Sequence, residues 1–160
     1  MAPEAKRKVL RSIPYGLYVA TAAGGDLVAA GTITWLSQAS FSPPLIMAAI
    51  KVGSRLHAAI DAGGGFALHV VGEAQQDLAA AFLKPTSLEG GTINGLAHEP
   101  GPAMGAPILA EFPMWCEVKV VGSVAQGDHT VFVAEVVACG VRDDDARPLA
   151  LRDTGWTYGG

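Results

Sequence analysis

The sequence predicts a mainly β protein, an antiparallel barrel or sandwich with only two clear helices. Apolar runs of strand length recur along the chain, and tight turns rich in Gly and Asp separate several of them, as in hairpins. Helix and strand alternate only around residues 54–83, a stretch too short to build a doubly wound parallel sheet.

The first third of the chain predicts a lead-in segment followed by two paired strands. Residues 1–12 are polar and basic, which is typical of a short helix or an arm. Tyr15–Ala23 is a β-type run that ends at a Gly-Gly-Asp sequence, a hairpin signal. Leu27–Ala39 then returns as one long strand.

A proline corner, a buried strand and a helix are expected next. The Ser-Pro-Pro sequence at 42–44 predicts an extended corner that ends ladder pairing. Leu45–Ile50 is continuously apolar, as a strand buried on both faces would be. Ser54 is a suitable N-cap for a helix that three glycines at 63–65 terminate.

The second half predicts one more helix, a long loop and a hairpin. Glu73–Leu83 carries acidic residues near its start and apolar residues on one face, as an amphipathic helix does. Residues 84–113 are rich in Gly and Pro, and loops of this length are usually functional or cover another part of the molecule. The remaining strands are predicted at Phe66–Val71, Met114–Ala125, Thr130–Cys139 and, as a short one, Pro148–Leu151.

Length and composition favour a single domain over residues 1–160. Half of the residues are hydrophobic and only 16% are charged, which indicates a large oligomer interface in addition to a core. The net charge is −4 and no long basic run occurs, so nucleic acid is excluded as an expected partner.

Two cysteines, Cys116 and Cys139, are too few for a disulfide framework or a four-ligand zinc site. Both lie in apolar β-like runs, so we expect buried free thiols in a reducing cytosol. The N-terminal residues lack an apolar signal-peptide segment, and no apolar run reaches about 18 residues. These patterns predict a cytoplasmic protein with no membrane span, and no His, Glu or Cys spacing predicts a metal site.

Small hydroxyl residues are unusually dense just before the proline corner. Five of them lie within eleven positions, and an aromatic residue and an amide lie among them. Such side chains on a strand edge suit a flat polar heterocycle, although Thr and Trp are also favoured in any ordinary edge strand. The residues are Thr32, Thr34, Trp35, Ser37, Gln38, Ser40 and Ser42.

The start of the helix after Ser54 is a candidate phosphate site. Its first turn offers free backbone N–H groups and the positive end of the helix dipole. Lys51 and Arg55 add charge, Gly53 permits close approach, and His57 lies one turn further on. A capped surface helix with ordinary basic residues would have the same sequence pattern. Next to the hydroxyl-rich strand, however, the pattern favours a phosphate-bearing aromatic cofactor.

The order of these motifs resembles the flavin reductase-like family, whose members have an FMN-binding split barrel. The family pattern is a Gly-x-Thr strand, a Ser-rich segment, an Asp-Pro-Pro corner, an apolar strand and a Ser. The matching positions are Gly31, Thr32, Thr34, Trp35, Ser37, Gln38, Ser40, Pro43, Pro44, Leu45–Ile50 and Ser54. Later matches are Phe66–Val71, Gln75, Gln76, Leu78, Ala79, Phe82, Gly105–Leu109, Cys116 and the Gly-Asp-His turn at 127–129.

The resemblance covers about Tyr15 to Leu151 and implies an antiparallel Greek-key split β-barrel with two or three short helices. It also implies a homodimer that binds FMN, or alternatively FAD, at its interface. The implied ring contacts are Thr32, Ile33, Thr34, Trp35, Ser37, Gln38, Ala39 and Ser40, and the implied phosphate contacts are Lys51, Ser54, Arg55 and His57.

His129 matches a family histidine near the nicotinamide, where its implied role is positioning and not proton transfer. No catalytic side chain is expected, because the flavin carries the chemistry. The chain departs from the family pattern at Ser42, where an Asp is usual, at Trp35, where a small residue is common, and in its Gly-Trp-Thr-Tyr tail. Trp35 and the tail look more like flavoredoxins and the reductase domains fused to diiron flavoproteins.

The leading hypothesis is therefore an NADH- or NADPH-dependent flavin reductase that passes electrons to free flavin, a monooxygenase or another acceptor. The alternative is a flavoredoxin-type electron carrier that binds FMN tightly and takes electrons from a protein donor. A third reading is a binding module for another planar cofactor, of the pyridoxal or haem type.

Overall fold

A computed structural model describes all residues, 1–160, and it is built mainly from antiparallel strands, as predicted. The α-helices are α1 (Pro3–Arg11), α2 (Arg55–Gly63) and α3 (Gln76–Ala81). The main-sheet strands are β1 (Tyr18–Gly24), β2 (Leu27–Ile33), β3 (Leu36–Phe41), β4 (Pro44–Lys51), β5 (Gly65–Val70), β10 (Met114–Gln126) and β11 (His129–Val141). A smaller sheet contains β6 (Leu88–Glu89), β7 (Thr92–Ile93), β8 (Leu96–Pro100) and β9 (Pro107–Leu109).

The chain itself closes the main sheet. The strand order is β2-β1-β5-β10-β11-β4-β3, so the two edge strands follow one another in the sequence with only Thr34 and Trp35 between them. Because an extended chain spans at most about 3.6 Å per residue, Ile33 and Leu36 lie within about 11 Å of each other. A flat sheet of seven strands would hold its edges about 29 Å apart. The sheet must therefore curl into a barrel, which stays open at the seam between β2 and β3.

The prediction of one long strand over Leu27–Ala39 is wrong. β2 pairs with β1, whereas β3 pairs with β4 at the opposite edge, and the partner changes at Thr34 and Trp35. The N–H of Ala49 on β4 already donates to the carbonyl of Trp35, at 2.9 Å. The sequence is β-type throughout this stretch, and nothing in its composition marks the bend. The prediction therefore missed the point at which the chain passes from one edge of the sheet to the other.

The prediction that the Pro-Pro corner ends ladder pairing is also wrong. β3 and β4 form a hairpin around it, and Phe41 is the partner of Pro44. The Ser42–Pro43 peptide is cis. Pro44 is tolerated because it is the first residue of its strand, where a missing N–H costs little.

The strand Leu45–Ile50 is buried on one face and not on both. Ile46, Ala48 and Ile50 point into the barrel, whereas Met47 between them is 42% exposed. The outward side of β4 continues across β11, where Val133 lies opposite Met47. The apolar run thus reflects a second apolar surface on the outside of the barrel, which a single chain leaves uncovered.

The core fills the barrel and extends under α2. Its largest cluster joins Ile46 and Phe132 of the barrel wall to Leu56 and Ile60 of the helix. The end of α2 packs on the β1–β2 hairpin backbone to backbone, because a Cβ on Gly24 would overlap Gly63 and a Cβ on Gly63 would overlap the carbonyl of Ala23. These glycines fix how closely the helix approaches the sheet.

Residues 84–113, predicted as a loop, carry the small sheet β6-β7-β8-β9. Its strands are short and partly polar, so they lack the periodicity that identifies a strand in a sequence. Glu117 of β10 anchors the adjoining turn, since its fully buried carboxylate accepts three backbone N–H groups. These come from Ala103, Met104 and Ala106, at 2.7, 3.0 and 3.1 Å.

His69 links three strands in the same region. Leu109 N–H of β9 donates to its Nε2 at 2.9 Å, so the neutral ring donates from Nδ1 to the Val19 carbonyl of β1, at 3.0 Å. The side chain is fully buried, and burial lowers its pKa to about 4. The histidine is thus a neutral, fully bonded core residue.

Smaller differences concern the cysteines and the last predicted elements. Cys116 and Cys139 are free thiols on opposite positions of β10 and β11, as predicted, but Cys116 is only partly buried and Cys139 is exposed, so the prediction that both are buried is wrong. The predicted strand over Pro148–Leu151 reduces to two isolated bridges, and a 3₁₀ turn precedes α3. None of the helices has the length and apolar character to cross a membrane.

The His69 geometry predicts a specific dependence of stability on pH. The folded pKa lies near 4 and the ordinary value is near 6.5. Between these values the unfolded chain binds a proton that the folded protein does not. The free energy of unfolding should therefore fall from pH 6.5 to pH 4, by up to about 3 kcal/mol from this residue. Urea denaturation at pH 7.5 and pH 4.5 measures the loss.

The His69→Gln variant isolates this contribution, because an amide can donate to Val19 and accept from Leu109 without titrating. The stability difference between wild type and variant should shrink or reverse at pH 4.5. His98→Gln, at an exposed site, should leave the difference near zero at both pH values. A wild-type advantage over His69→Gln that is the same at both pH values would contradict the prediction.

Candidate functional site

A cleft of about 880 Å³ is the main cavity of the molecule, a size typical of small-molecule sites. Five segments line most of it: the end of β2 with the bend that follows, the end of β4, the start of α2, the chain that follows α3, and residues 155–158 of a C-terminal segment that we call the closing segment (Gly155–Gly160). The bend contributes Thr32–Trp35 and the chain after α3 contributes Leu83–Thr86. The cleft therefore lies where the barrel is split.

Two polar atoms at the bend are buried and have no hydrogen-bond partner. They are Oγ1 of Thr34, a residue that is only 6% exposed, and Nε1 of Trp35. A buried polar group without a partner costs about 1–3 kcal/mol, so such atoms call for an explanation. Both residues line the cleft, and Thr32 differs from them because its hydroxyl donates to the Ala79 carbonyl at 2.7 Å. Thr34 and Trp35 thus carry unused donors and belong to the wall of the cleft.

The start of α2 gives the cleft a positive end. Ser54 is the N-cap, and its hydroxyl oxygen accepts the N–H of His57 at 3.1 Å, as predicted for a cap. Lys51 and Arg55 line the cleft beside it, Lys84 joins them, and no Asp or Glu is among the lining residues. Two cations beside a helix N-terminus, with a third on the wall of the same cleft, suit an anionic group such as a phosphate.

Aromatic side chains surround the rim of the cleft. The Trp35 ring lies 4.6 Å from that of His129 and 5.1 Å from that of Tyr158, measured between centroids. His129 bonds to Asp128 through Nδ1 and to the Tyr158 hydroxyl through Nε2, both at 2.7 Å. Because a carboxylate only accepts, Nδ1–H donates to Asp128, and in the neutral ring Nε2 accepts from Tyr158.

The pKa shifts of this group follow from the same contacts. The hydrogen bond from His129 lowers the pKa of Asp128, which supports an ionised acceptor at neutral pH. Burial, and then the charge of Asp128, raise the pKa of Tyr158, so its hydroxyl stays protonated and can donate. The arrangement is a chain of hydrogen bonds from the closing segment through His129 to Asp128.

The structure brings together seven of the twelve residues predicted to bind the cofactor. Thr32, Ile33, Thr34, Trp35, Lys51, Ser54 and Arg55 all line the cleft. Ser37, Gln38, Ala39, Ser40 and His57 do not. The first four of these lie on β3, beyond the bend, and the His57 ring bonds instead to the Thr130 hydroxyl, at 2.8 Å. His129 lies beside the rim, against Trp35.

Several lining residues were not found from the sequence. Lys84, Pro85 and Thr86 follow α3, and Trp156 and Tyr158 come from the closing segment. These residues are far from the bend along the chain, so the sequence does not show that they contribute to the same cleft. The one available signal was compositional, namely aromatic residues in an otherwise Gly-rich tail that departs from the family pattern.

Comparison with known proteins agrees with this geometry. The family model of the flavin reductase like domain matches residues 10–159 of this chain. The chain belongs to this family. The resemblance drawn from the motifs is therefore confirmed, and so is the split-barrel fold.

Relatives of known description are similar over most of the chain. The NADH-dependent flavin reductase of Pseudomonas fluorescens is 32% identical over 123 residues, which are 74% of this chain and 66% of that protein. The NADH:FMN oxidoreductase of Rhodococcus erythropolis is 32% identical over 153 residues, or 92% of this chain and 77% of that protein. The chain thus spans about two thirds to three quarters of the length of these relatives.

Among solved structures, the styrene monooxygenase flavin reductase from Pseudomonas putida superposes with a TM-score of 0.75 at 28% identity. The match covers 92% of each chain. The sheet arrangement described above is therefore that of a flavin reductase.

Proposed function

We propose that this chain is an NADH-dependent flavin reductase that acts as a single domain and binds FMN in the cleft. The observation that carries the proposal is the buried Thr34 hydroxyl, which lacks a partner and lines a cleft whose other end is the N-terminus of α2. An orphaned donor and a positive end in one cavity are what a ring with a phosphate tail requires.

The residues present fit a flavin. The Thr34 hydroxyl and the Trp35 N–H are donors, and the polar edge of an isoalloxazine ring carries carbonyl oxygens and ring nitrogens that accept. Lys51, Arg55 and the first turn of α2 would hold the phosphate through charge-assisted hydrogen bonds. A bound flavin accepts a hydride from a dihydronicotinamide and passes its electrons on.

The chain contributes binding, orientation and exclusion of water. The cleft walls include Ile33, Leu56 and Phe82, which keep water from the ring and strengthen the polar contacts. No side chain needs to act as an acid or base, because hydride transfer moves no proton through the protein. His129 would position the donor, as the family resemblance implies.

The names of both relatives support NADH as the donor, and the name of the Rhodococcus enzyme supports FMN as the flavin. The homologous reductase of styrene monooxygenase supports a monooxygenase as the acceptor of reduced flavin. The electron-carrier alternative has one structural argument, because Tyr158 and Trp35 crowd His129, where a donor would enter. The cytoplasmic location stays a prediction.

We also propose that the protein is a homodimer that uses the outside of the barrel. The outward sides of β4, β10 and β11 carry apolar residues that are exposed or half-buried in the single chain, and we call this surface the outward apolar face. Met47, Val124 and Val137 are 42%, 55% and 39% exposed. An uncovered apolar sheet face of this kind is typical of a protein–protein interface. The face consists of Leu45, Met47, Ala49, Val121, Val124, Val131, Val133 and Val137.

The purified protein should oxidise NADH in the presence of added FMN, at a rate far above that of free FMN alone. Absorbance at the NADH band, recorded with and without protein, measures this. NADPH, and FAD in place of FMN, test the choice of donor and flavin. Tight FMN retention without NADH oxidation would favour the electron carrier, and absence of both flavin binding and turnover would overturn the proposal.

Thr34→Val should raise the FMN dissociation constant about threefold to tenfold, because it removes one hydrogen bond. The ligand-free variant should be as stable as wild type or more so, since it loses a buried polar atom that had no partner. Thr32→Val is the matched control: it breaks the bond to Ala79, so its stability should fall while FMN affinity changes little. Fluorescence titration and urea denaturation measure the two quantities. Equal FMN affinity in wild type and Thr34→Val would remove this residue from the site.

Met47→Asp should dissociate the dimer, because it places an unpaired carboxylate at the centre of the outward apolar face. The dimer dissociation constant should rise at least about 100-fold. Leu88→Asp, at a 52% exposed residue of the small sheet, is the control and should leave the dimer intact. Sedimentation velocity at micromolar concentration distinguishes the states. A monomeric wild type, or a Met47→Asp protein that remains dimeric, would contradict the proposed interface.

A further inference from the structure

The closing segment separates two cavities. Besides the main cleft, a smaller cavity of about 350 Å³ lies between the end of α1 and this segment. Trp156, Thr157 and Tyr158 line both cavities. The segment is thus a thin wall, and displacing it would join the two spaces.

The closing segment is anchored at one end and held by few contacts at the other. Trp156 packs against a second core cluster, which includes Phe82 and Phe112. Its backbone N–H donates to the Thr154 hydroxyl at 2.9 Å. Beyond it, the polar contacts are those of the Tyr158 hydroxyl with His129 and of Arg11 with the Gly159 carbonyl, at 3.3 Å. Tyr158 itself is 43% exposed. The segment can therefore leave the rim without disturbing the core.

The contact with Tyr158 occupies the hydrogen-bonding capacity of His129. Nδ1–H of the ring already donates to Asp128, which leaves the single lone pair of Nε2 as its other polar feature. Tyr158 uses that lone pair and also lies against the Trp35 ring. A nicotinamide is a flat ring with a carboxamide that donates and accepts hydrogen bonds. It would use the same nitrogen and the same aromatic surface, so it and Tyr158 exclude one another.

The charges at the rim suit the rest of a dinucleotide. Lys51 lies close enough to Asp128 to lower the pKa of that carboxyl, and Arg11 and Arg152 line the smaller cavity behind the closing segment. Arg11 and Arg152 would face the diphosphate of a donor that enters as the segment moves away, whereas Lys51 stays with the phosphate of the flavin.

We propose that Tyr158 sets the affinity of the cleft for the nicotinamide dinucleotide by competing with its carboxamide for Nε2 of His129. This inference rests on the proposed function. A ligand that binds only the open arrangement has an apparent dissociation constant equal to the intrinsic one divided by the open fraction. Any change that weakens the Tyr158–His129 bond therefore tightens dinucleotide binding, without altering how the flavin is held.

The test uses the FMN-loaded protein and the Tyr158→Phe variant, which keeps the ring and removes the hydroxyl. Calorimetric titration with NAD⁺ should give a dissociation constant about threefold to tenfold lower than that of wild type, the range expected for loss of one hydrogen bond. The KM for NADH should fall by a similar factor while kcat and the FMN dissociation constant stay unchanged. Tyr15→Phe, which removes a hydroxyl in the smaller cavity that does not contact His129, is the control and should behave as wild type.

An NAD⁺ dissociation constant that is unchanged or higher in Tyr158→Phe would overturn the inference, even if the protein is an active reductase. A lower kcat in the variant would also overturn it, because the hydroxyl would then assist the reaction and not oppose binding. A wild-type protein that binds FMN but neither binds NAD⁺ nor oxidises NADH would instead overturn the proposed function.

Discussion

The two-residue connection between the edges of the main sheet is the constraint on which the rest of the structure depends. Seven strands have to curl until β2 and β3 can be joined by Thr34 and Trp35. The same connection prevents complete closure, because residues that cross the seam cannot pair with both edges. The polar atoms they carry are left inside the protein without partners. The cleft is therefore a consequence of how the barrel is closed, and its polar character comes from the residues that close it.

Buried polar contacts hold the small sheet in place against the middle strands of the main sheet, away from this seam. His69 and Glu117 lie on neighbouring strands and bind the backbone of the segment that precedes β10. These side chains accept backbone N–H groups that have no partner within either sheet. The small sheet and its turns therefore pack firmly on the barrel. This support is independent of the cleft, whose own polar groups remain free. The protein thus combines a fully satisfied scaffold with an unsatisfied site.

Much of the fold could be predicted from local patterns, and the misses have a common physical cause. The cap at Ser54 and the hairpin before His129 depend on adjacent residues and were predicted correctly. The division of the strand at Thr34 depends on which edge each half meets, which is a property of the whole sheet. The same holds for Tyr158, which reaches His129 from 29 positions away. The flavin contacts predicted at Ser37 and Ser40 lie on β3, beyond the bend, and stay a prediction.

The contact of Gly24 with Gly63 connects the site to a distant part of the molecule. Gly63 is the last residue of α2 and Gly24 is the last residue of β1, whereas the N-terminal end of the helix forms the positive end of the cleft. The helix is nine residues long, so it acts as a stiff rod of about 14 Å. A side chain added at either glycine would push one end of this rod away from the hairpin and tilt the other. Substitutions that contact no ligand can therefore change ligand specificity in this protein. A substitution at the β1–β2 hairpin can matter because it tilts α2, although the hairpin is distant from the cleft.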